Sequence, residues 1–166
     1  MKFAVFSDAI ILRSTNLYQL LGVVHVVLWM SLMENMIVRG AVSIGRHSEK
    51  ESDGRLRVVS QALVRAAQLE KDRDFRYPCV RIDPRITLDA AVWSRDVRNE
   101  VRTVLYFEGM HIVNPCNPGW RNSAIGRVRM LRERYPEHAE KYDWLERLML
   151  RIFDLEPMVP PAILPT

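Results

Sequence analysis

The pattern of hydrophobic positions predicts an N-terminal hairpin followed by a long helix. Lys2 to Leu12 reads KFAVFSDAIIL, in which two apolar runs flank Ser7-Asp8. Because Asp favours turns and its neighbours favour strands, this segment predicts two strands joined by a tight turn. From Leu17 to Met33 the chain reads LYQLLGVVHVVLWMSLM, and apolar residues recur at helical spacing on nearly every side. A helix of this kind is buried on both sides, so we expect it between a sheet and a second layer.

The same helix is the segment most like a membrane span. Its 17 residues lie at the short limit for crossing a bilayer. It also contains Gln19, His25 and Ser31, and polar groups are costly at membrane depth. The segment lacks the basic start and small-residue cleavage site of a signal peptide. The sequence therefore favours a buried core helix and predicts no membrane span.

The remaining chain mixes short strands with helices. Strands are predicted at Ile37–Ile44 and Tyr77–Ile82, a polar loop at Gly45–Leu56, and a hairpin over Val101–Val113 around Glu108-Gly109. Helices are predicted at Val58–Arg73, from Thr87 or Asp89 to about Asn99, at Arg121–Arg134 and at Glu137–Asp154. Glu156–Thr166 contains four Pro and is predicted to be an extended tail. This order predicts an α+β fold with helices packed on one face of a sheet.

The 166 residues fit one domain, or one domain with an appended helical tail. The net charge of +4 is concentrated between Ile37 and Arg85, where eleven Lys/Arg face seven Asp/Glu, whereas the rest of the chain has thirteen of each. This excess suits an anionic ligand such as a nucleotide, and the alternative is a solvated face without a partner. Aromatic residues do not interleave with the charge, so nucleic acid is a weaker candidate.

The cysteine and histidine patterns exclude the common metal motifs. Cys79 and Cys116 have no CxxC partner, and the four histidines lack a metal-ligand spacing. We expect both thiols to be free, as in a reducing cytoplasm. Trp120 and Trp144 are interpreted as packing anchors rather than ligand platforms.

Asp8 is the strongest candidate for chemistry. A carboxylate in the turn of a hairpin is exposed and able to bind a hard cation. Mg²⁺ typically takes one or two carboxylates together with phosphate oxygens and water. The alternative is an ordinary turn residue.

Several motifs in order resemble the class III nucleotidyl cyclase domain. They are FSDAIIL, the long helix, VRGAVSIG, a polar loop, SQALVRAAQLE and YPCVRID. The resemblance is greatest to the bacterial anti-phage branch that makes cyclic pyrimidine nucleotides, the Pycsar uridylate and cytidylate cyclases. GMHIVNPCNPGW and EKYDWL are similar to the tail of that branch. The resemblance implies a partial ferredoxin-like cyclase core over 1–116, a C-terminal helical extension over 117–156 and a Pro-rich tail over 157–166.

The resemblance implies conversion of UTP or CTP to a 3′,5′-cyclic nucleotide and pyrophosphate, with Mg²⁺ or Mn²⁺ as cofactor. The product would be a second messenger that reaches a downstream effector in cytoplasmic anti-phage defence. Asp8 matches the family's second metal aspartate, which makes it the implied catalytic and metal-binding residue. Ser7, Arg39, Arg57 and Arg65 are the implied substrate-binding residues. The guanidinium of Arg39 suits phosphate, and an ion pair at a dimer interface is an equally open interpretation.

Three departures from the family pattern bear on activity. The first metal aspartate, with its strand and helix, precedes this hairpin in the family and would fall before Met1 here. The positions of the purine cyclases' transition-state Asn and Arg are Val64 and Gln68, with Arg65 adjacent. The base-selecting acid of adenylate cyclases falls near Arg57, which argues against the usual adenine contact.

These departures leave alternatives open. The missing strand leaves a bare sheet edge, and unpaired edges invite pairing with another chain. We therefore expect a homodimer, pairing with a full-length cyclase, or poor solubility. The second hypothesis is a catalytically inactive cyclase-like module that binds nucleotide or dimerises. The third is an α+β interaction module in which Asp8 is only a turn residue.

Overall fold

The computed structural model describes residues 1–6, 9–52, 55–72, 77–88 and 103–153. Its elements in chain order are β1 (Lys2–Phe6), β2 (Ala9–Arg13), α1 (Leu17–Met33), β3 (Gly40–Val42), β4 (His47–Ser52), β5 (Arg55–Ser60), α2 (Gln61–Glu70), β6 (Val80–Ile82), β7 (Val104–Phe107), β8 (Met110–Val113), α3 (Arg121–Arg134) and α4 (Ala139–Phe153). Short 3₁₀ turns lie at Pro118–Trp120 and Pro136–His138. The predicted α+β class is confirmed.

The described strands form one four-stranded sheet and two separate two-stranded ribbons. The sheet has the order β3-β6-β8-β7, and only the β3–β6 pair is parallel, with Val42 opposite Ile82. The ribbons are the antiparallel pairs β1–β2 and β4–β5. The β7–β8 hairpin turns through Glu108 and Gly109, both at positive φ (48° and 81°), which is the conformation of a type I′ turn.

Helices pack against both faces of the β7–β8 hairpin. Because side chains alternate along a strand, Val104 and Val113 point to one face, and they share a buried cluster with α1. Leu105 and Ile112 point to the other face, and they share a second cluster with α3 and α4. The prediction that helices cover one face of the sheet is therefore wrong, because apolar residues on both sides of these strands each require a helical layer.

Helix α1 is buried on one side only. Asn16 caps its N-terminus by accepting a hydrogen bond from the Gln19 amide at 3.0 Å. Its buried residues repeat every three or four positions: Leu21, Val24, Leu28 and Leu32. The expected second layer is not found among the described residues, because Val26 and Met30 on the opposite side are 42% and 54% exposed. Within the described ranges, every helix is too short or too polar to cross a bilayer.

The polar segment after β3 is the largest error in the predicted elements. The loop predicted at Gly45–Leu56 contains β4 and the start of β5. The strand predicted at Ile37–Ile44 pairs only over Gly40–Val42, because its neighbour β6 is three residues long. The predictions for α1, α3 and α4 are confirmed to within a few residues. The helix predicted from Thr87 or Asp89 to about Asn99 lies almost wholly outside the described residues. The predicted Pro-rich tail, Glu156–Thr166, lies wholly outside them.

Among the residues that the structure describes, Trp144 is the largest fully buried side chain, which agrees with its interpretation as a packing anchor. It stacks on Tyr77 with ring centroids 4.8 Å apart and meets the edge of Phe107 at 5.4 Å. Its Nε1 donates to Glu108 Oε2 at 2.7 Å, so the indole N–H keeps a partner. Cys79 and Cys116 are both free, as predicted, and the structure shows that both are buried, which raises the pKa of each thiol strongly.

Candidate functional site

The predicted metal ligand, Asp8, lies between β1 and β2 in the sequence. Phe6 at the end of β1 pairs with Ala9 at the start of β2, and Ser7 and Asp8 separate them in sequence. Ser7 and Asp8 themselves lie outside the described residues. Among the described residues, no three His, Cys, Asp or Glu side chains come together in a way that would hold a metal ion. The catalytic and metal-binding roles of Asp8 therefore stay predictions.

Arg39 precedes β3 and binds the far end of α2. Its Nε donates to Glu70 Oε1 at 3.0 Å, and its Nη2 forms an ion pair with the same oxygen. The side chains remain 42% and 34% exposed. Of the two interpretations left open for Arg39, phosphate contact and interface ion pair, the structure shows a third arrangement, an ion pair within the chain.

Arg65 lies on α2 and holds the segment that follows β3. Its Nη1 donates to the Ile44 carbonyl at 2.9 Å. The next residue, Gly45, passes so close to the start of α2 that a Cβ atom there would lie 2.8 Å from the Ala62 amide nitrogen. The last glycine of the VRGAVSIG motif is therefore required by this close approach.

The N-terminus of α2 is already occupied by the chain itself. The Gln61 amide donates to the Arg46 carbonyl at 2.9 Å. The Leu63 amide donates to the hydroxyl of the N-cap Ser60 at 3.1 Å. Helix N-termini are common phosphate sites because their amides are unpaired. Here these two amides are used internally, so this helix end offers little to a phosphate.

Arg39 and Arg65 do not converge on one point. Arg39 contacts the C-terminal end of α2, and Arg65 contacts the backbone beyond the other end of β3. At about 3.3 Å per extended residue, Arg39 and Ile44, which lie on either side of β3, are roughly 15 Å apart. A triphosphate contacting both arginines would need at least one of them to leave its present partner.

Arg57 lies on the β4–β5 ribbon, opposite Lys50. It is exposed and lies across from another cation, while Glu49 and Glu51 flank Lys50 on β4. The role of Arg57 in binding substrate stays a prediction.

A charged cluster that the sequence did not indicate joins the two ribbons. The carboxylate of Glu49 on β4 accepts hydrogen bonds from Nη1 and Nη2 of Arg13 on β2, at 2.8 and 3.0 Å. It also lies 3.7 Å from the ammonium of Lys2 on β1. His47 contacts the same carboxylate at 2.9 Å. The hydrogen bond with His47, assisted by the charges of Arg13 and Lys2, lowers the pKa of Glu49. No sequence signal links residues 36 positions apart, so only the structure finds this contact.

Asp83 is a buried carboxylate at the end of β6. It is 3% exposed, and its Oδ1 accepts a hydrogen bond from the Arg85 amide at 3.0 Å. Its own amide donates to the Val42 carbonyl at 2.8 Å, which continues the β3–β6 pairing by one residue. Asp83 therefore organises the turn after β6, a role that the Asp-Pro pair in the sequence is typical of.

A buried polar contact ties α1 to the loop after β8. His25 Nδ1 lies 2.6 Å from the Asn114 carbonyl, and Asn114 Oδ1 accepts from the Cys116 amide at 2.8 Å. Burial lowers the pKa of His25, more than the hydrogen bond with Asn114 raises it. His25 is therefore a structural histidine of the core.

The described surface also contains a shallow groove. The groove has a volume of about 330 Å³, and its described lining consists of Phe107, Glu108, Arg147, Leu150 and Arg151. Arg147 lies 3.7 Å from Glu108, so part of its charge is balanced within the chain. This lining includes none of the described site residues Arg39, Arg57 and Arg65.

Comparison with known proteins assigns no family to the chain. No family model matches it, no curated protein matches it, and no solved structure matches it. The resemblance to nucleotidyl cyclases therefore depends on the order and spacing of short sequence motifs.

Proposed function

We propose that this chain is a nucleotidyl cyclase-like protein that converts UTP or CTP to a 3′,5′-cyclic nucleotide in anti-phage defence. The observation that supports this most is the pairing of β1 with β2, because Asp8 lies between these two strands in the sequence. The elements α1, β3, α2 and β6 follow in the order that the resemblance requires, and the β4–β5 ribbon lies where the resemblance has a polar loop. The proposal includes a ferredoxin-like cyclase core that lacks its first strand and helix.

The proposed reaction is an in-line displacement. The 3′-hydroxyl oxygen of the nucleotide attacks the α-phosphorus, the bond to the β-phosphate oxygen breaks, and pyrophosphate and one proton are released. A Mg²⁺ or Mn²⁺ ion would neutralise charge on the transferring phosphoryl group. Asp8 would be the ligand from this chain, since one carboxylate with phosphate oxygens and water is a usual Mg²⁺ environment.

A second chain would complete this site. Within the described ranges, both β2 and β3 lie at the end of their pairing order and have one edge without a partner strand. A homodimer, or a pair with a longer cyclase, would supply the further carboxylate that the resemblance requires. We place this assembly in the cytoplasm as part of the proposal.

The second candidate function is a catalytically inactive nucleotide-binding or dimerisation module. Its support is the separation of Arg39 and Arg65, each of which already has a partner within the chain. A site arranged in this way binds phosphate weakly before any rearrangement.

A cyclisation assay tests both candidates. The purified chain is incubated with Mn²⁺ and each of the four triphosphates, and products are separated by chromatography and identified by mass. Asp8→Asn removes the charge at nearly constant size. Glu137→Gln makes the same change at an exposed residue of the 3₁₀ turn before α4 and is the matched control.

We expect product from UTP or CTP only, its loss in Asp8→Asn and its retention in Glu137→Gln. Raised thermal stability with triphosphate, without product, would support the inactive module instead. Neither product nor stabilisation would contradict both candidates.

A further inference from the structure

Helix α3 carries an excess of arginine. Its 14 residues contain five Arg and one Glu. Arg129 is neutralised by Glu146 of α4, with 2.7 Å between Nε and Oε1. Arg132 is neutralised by Asp143 of the same helix at 2.9 Å. The guanidinium of Arg121 packs over an aromatic ring of α4. Three of the five arginines therefore serve the contact between α3 and α4.

The other two arginines, Arg127 and Arg134, have neutral partners. Arg127 Nη1 donates a hydrogen bond to Asn35 Oδ1 at 2.7 Å. The guanidinium of Arg134 lies 5.4 Å from the centroid of the Tyr135 ring. Within the described ranges neither arginine forms an ion pair, although Glu133 precedes Arg134 in the sequence. Their positive charge is therefore not balanced by the described part of the chain.

An exposed tryptophan begins the same flank of α3. Trp120 is the N-cap of the helix and precedes Arg127 by seven residues, as Arg127 precedes Arg134. Seven residues are two helical turns, so these three side chains lie on one side of the axis at intervals of about 10 Å. Two contacts place this side toward α1. The ring of Trp120 lies 5.9 Å from that of Trp29, and Arg127 contacts Asn35, just beyond the end of α1. We call the line of Trp120, Arg127 and Arg134 the α3 stripe.

The indole of Trp120 is partly supported and partly open. Its contact with Trp29 agrees with a packing role, yet the residue remains 46% exposed, whereas Trp144 is fully buried. An accessible indole that is held by a neighbouring ring can stack on another flat ring, such as a nucleobase. In the basic segment between Ile37 and Arg85, aromatic residues do not interleave with the charge. On the α3 stripe, an aromatic ring and two unbalanced cations share one surface.

This combination fits a single-stranded nucleic acid better than other polyanions. Proteins bind single strands by tracking phosphates with cations and by stacking bases on aromatic side chains. Arg127 and Arg134 would contact phosphates, and Trp120 would stack on an unpaired base. A duplex keeps its bases stacked on one another, so it would offer only its phosphates. An acidic peptide would engage the arginines but has no regular series of rings for Trp120.

We infer that single-stranded nucleic acid binds along the α3 stripe without sequence preference. The stripe contains none of the predicted site residues and requires neither metal nor triphosphate. The inference therefore goes beyond the proposed function and does not depend on it. With two phosphate contacts and one stacked base, we expect a dissociation constant of about 10⁻⁴ to 10⁻⁶ M at physiological salt, the usual range for non-specific association.

Fluorescence anisotropy of labelled oligonucleotides tests this inference. The probes are oligothymidylate and oligouridylate of about ten nucleotides, a length within the usual site sizes of single-strand-binding surfaces. Titrations are done without divalent metal at several salt concentrations. The logarithm of the affinity falls with the logarithm of the salt concentration by about 0.7 for each phosphate contact, so we expect a slope of about −1.4. Binding of either probe with this slope supports the inference, and a preference between them distinguishes DNA from RNA.

Charge variants determine whether the stripe is the binding surface. Arg127→Gln and Arg134→Gln should each make the slope shallower by about 0.7, since each removes one phosphate contact. Arg127→Lys keeps the charge and should keep the slope. Arg129→Gln is the matched control, because it makes the same change of net charge on the same helix at an arginine held by Glu146. It should leave the slope unchanged.

A ring variant separates stacking from charge. Trp120→Ala should raise the dissociation constant at least about fivefold at an unchanged slope, because a stacked base is lost and no charge is removed. Phe3→Ala truncates a 75% exposed ring on β1 and should leave binding unchanged. Arg134 is in the last turn of α3, where a cation also stabilises the helix dipole. Circular dichroism is therefore used to establish that each variant is folded before its binding is measured.

Other outcomes would overturn the inference. Absence of binding at low salt would show that the two arginines form only a solvated surface. A slope that no stripe variant changes would place the binding elsewhere, and tighter binding of a duplex of equal length would exclude a single-strand surface. Equal binding of polyglutamate, independent of Trp120, would indicate an acidic protein partner. Stripe-dependent binding to anionic lipid vesicles but not to either oligonucleotide would indicate a membrane surface.

Discussion

The two hairpins β1–β2 and β7–β8 have similar sequence patterns and opposite surroundings. Both consist of short, mostly apolar strands around a two-residue connection. In β7–β8, Val104 and Ile112 are fully buried, whereas in β1–β2, Phe3 and Val5 are 75% and 63% exposed. The difference lies in what packs against them, because β7–β8 has a helical layer on each face and joins the four-stranded sheet. Strand apolarity alone therefore does not determine burial.

The comparison bears directly on function. The buried hairpin stabilises the fold through Trp144 and its neighbours. The exposed hairpin contributes little packing, and the candidate metal ligand, Asp8, lies between its two strands in the sequence. An isolated two-stranded ribbon is only marginally stable, so β1–β2 requires support from its neighbours or from another chain. That support within the chain includes Leu12, which packs against the α1 cluster, and Arg13, which binds Glu49.

The largest expected difference is between the losses of unfolding free energy on truncating an aromatic side chain at each hairpin. Trp144→Ala removes a fully buried ring that contacts Phe107 of β7, so the free energy of unfolding should fall by about 3–5 kcal/mol. Phe3→Ala, at a residue 75% exposed, should cost less than about 1 kcal/mol. Urea denaturation followed by circular dichroism measures both. Equal losses in the two variants would contradict the comparison.

A smaller effect is expected from the pH dependence of the buried side. Burial lowers the pKa of His25 and of His111 below their usual value in the unfolded chain. As the pH falls below about 6.5, the unfolded chain takes up these protons first, so stability falls and then levels off once the folded histidines are protonated. Above this range neither histidine contributes to the pH dependence.

Melting temperatures between pH 8 and pH 5 measure this effect. His25→Gln should make the decrease shallower, and His138→Gln, at an exposed position, should leave it unchanged. An unchanged slope in His25→Gln would show that burial does not disfavour the charged form of His25.

The smallest effect is expected at the contact between the two ribbons. Glu49→Gln removes the charge that Arg13 and Lys2 share, on an exposed surface where ion pairs contribute little. The melting temperature should decrease slightly at low salt and not at all in 1 M NaCl, because salt screens such pairs. Lys50→Gln, at an exposed cation on the same strand, is the control. A large, salt-independent decrease would mean that Glu49 supports the core instead.

Sequence patterns predicted the elements whose signals are local. The β7–β8 turn was found from Glu108-Gly109, and the helices after residue 120 were found from their apolar spacing. Strand β4 was missed because HSEKES has no apolar alternation, and as part of an exposed ribbon it needs none. The exposed side of α1 could not be predicted, because a helix that is apolar on every side does not indicate which side is exposed in the folded chain.

The candidate site was predictable only in part. Motif spacing identified Asp8, Arg39, Arg57 and Arg65 as candidates, but it contained no information on the partners of the arginines. The Arg39–Glu70 pair joins residues 31 positions apart, and the Arg65–Ile44 contact joins a side chain to a backbone carbonyl. Contacts of this kind depend on how α2 lies along β3, which only the folded chain determines.

The burial of Cys79 and Cys116 makes the chain convenient for labelling chemistry. Maleimides and related reagents attack the thiolate, and both native sulfurs are kept protonated and shielded from solvent. A single cysteine introduced on the surface of β1 or α1 would therefore be the only reactive one in the folded protein. Fluorophores or spin labels could report on the β1–β2 ribbon and on α1 separately without removal of either native cysteine.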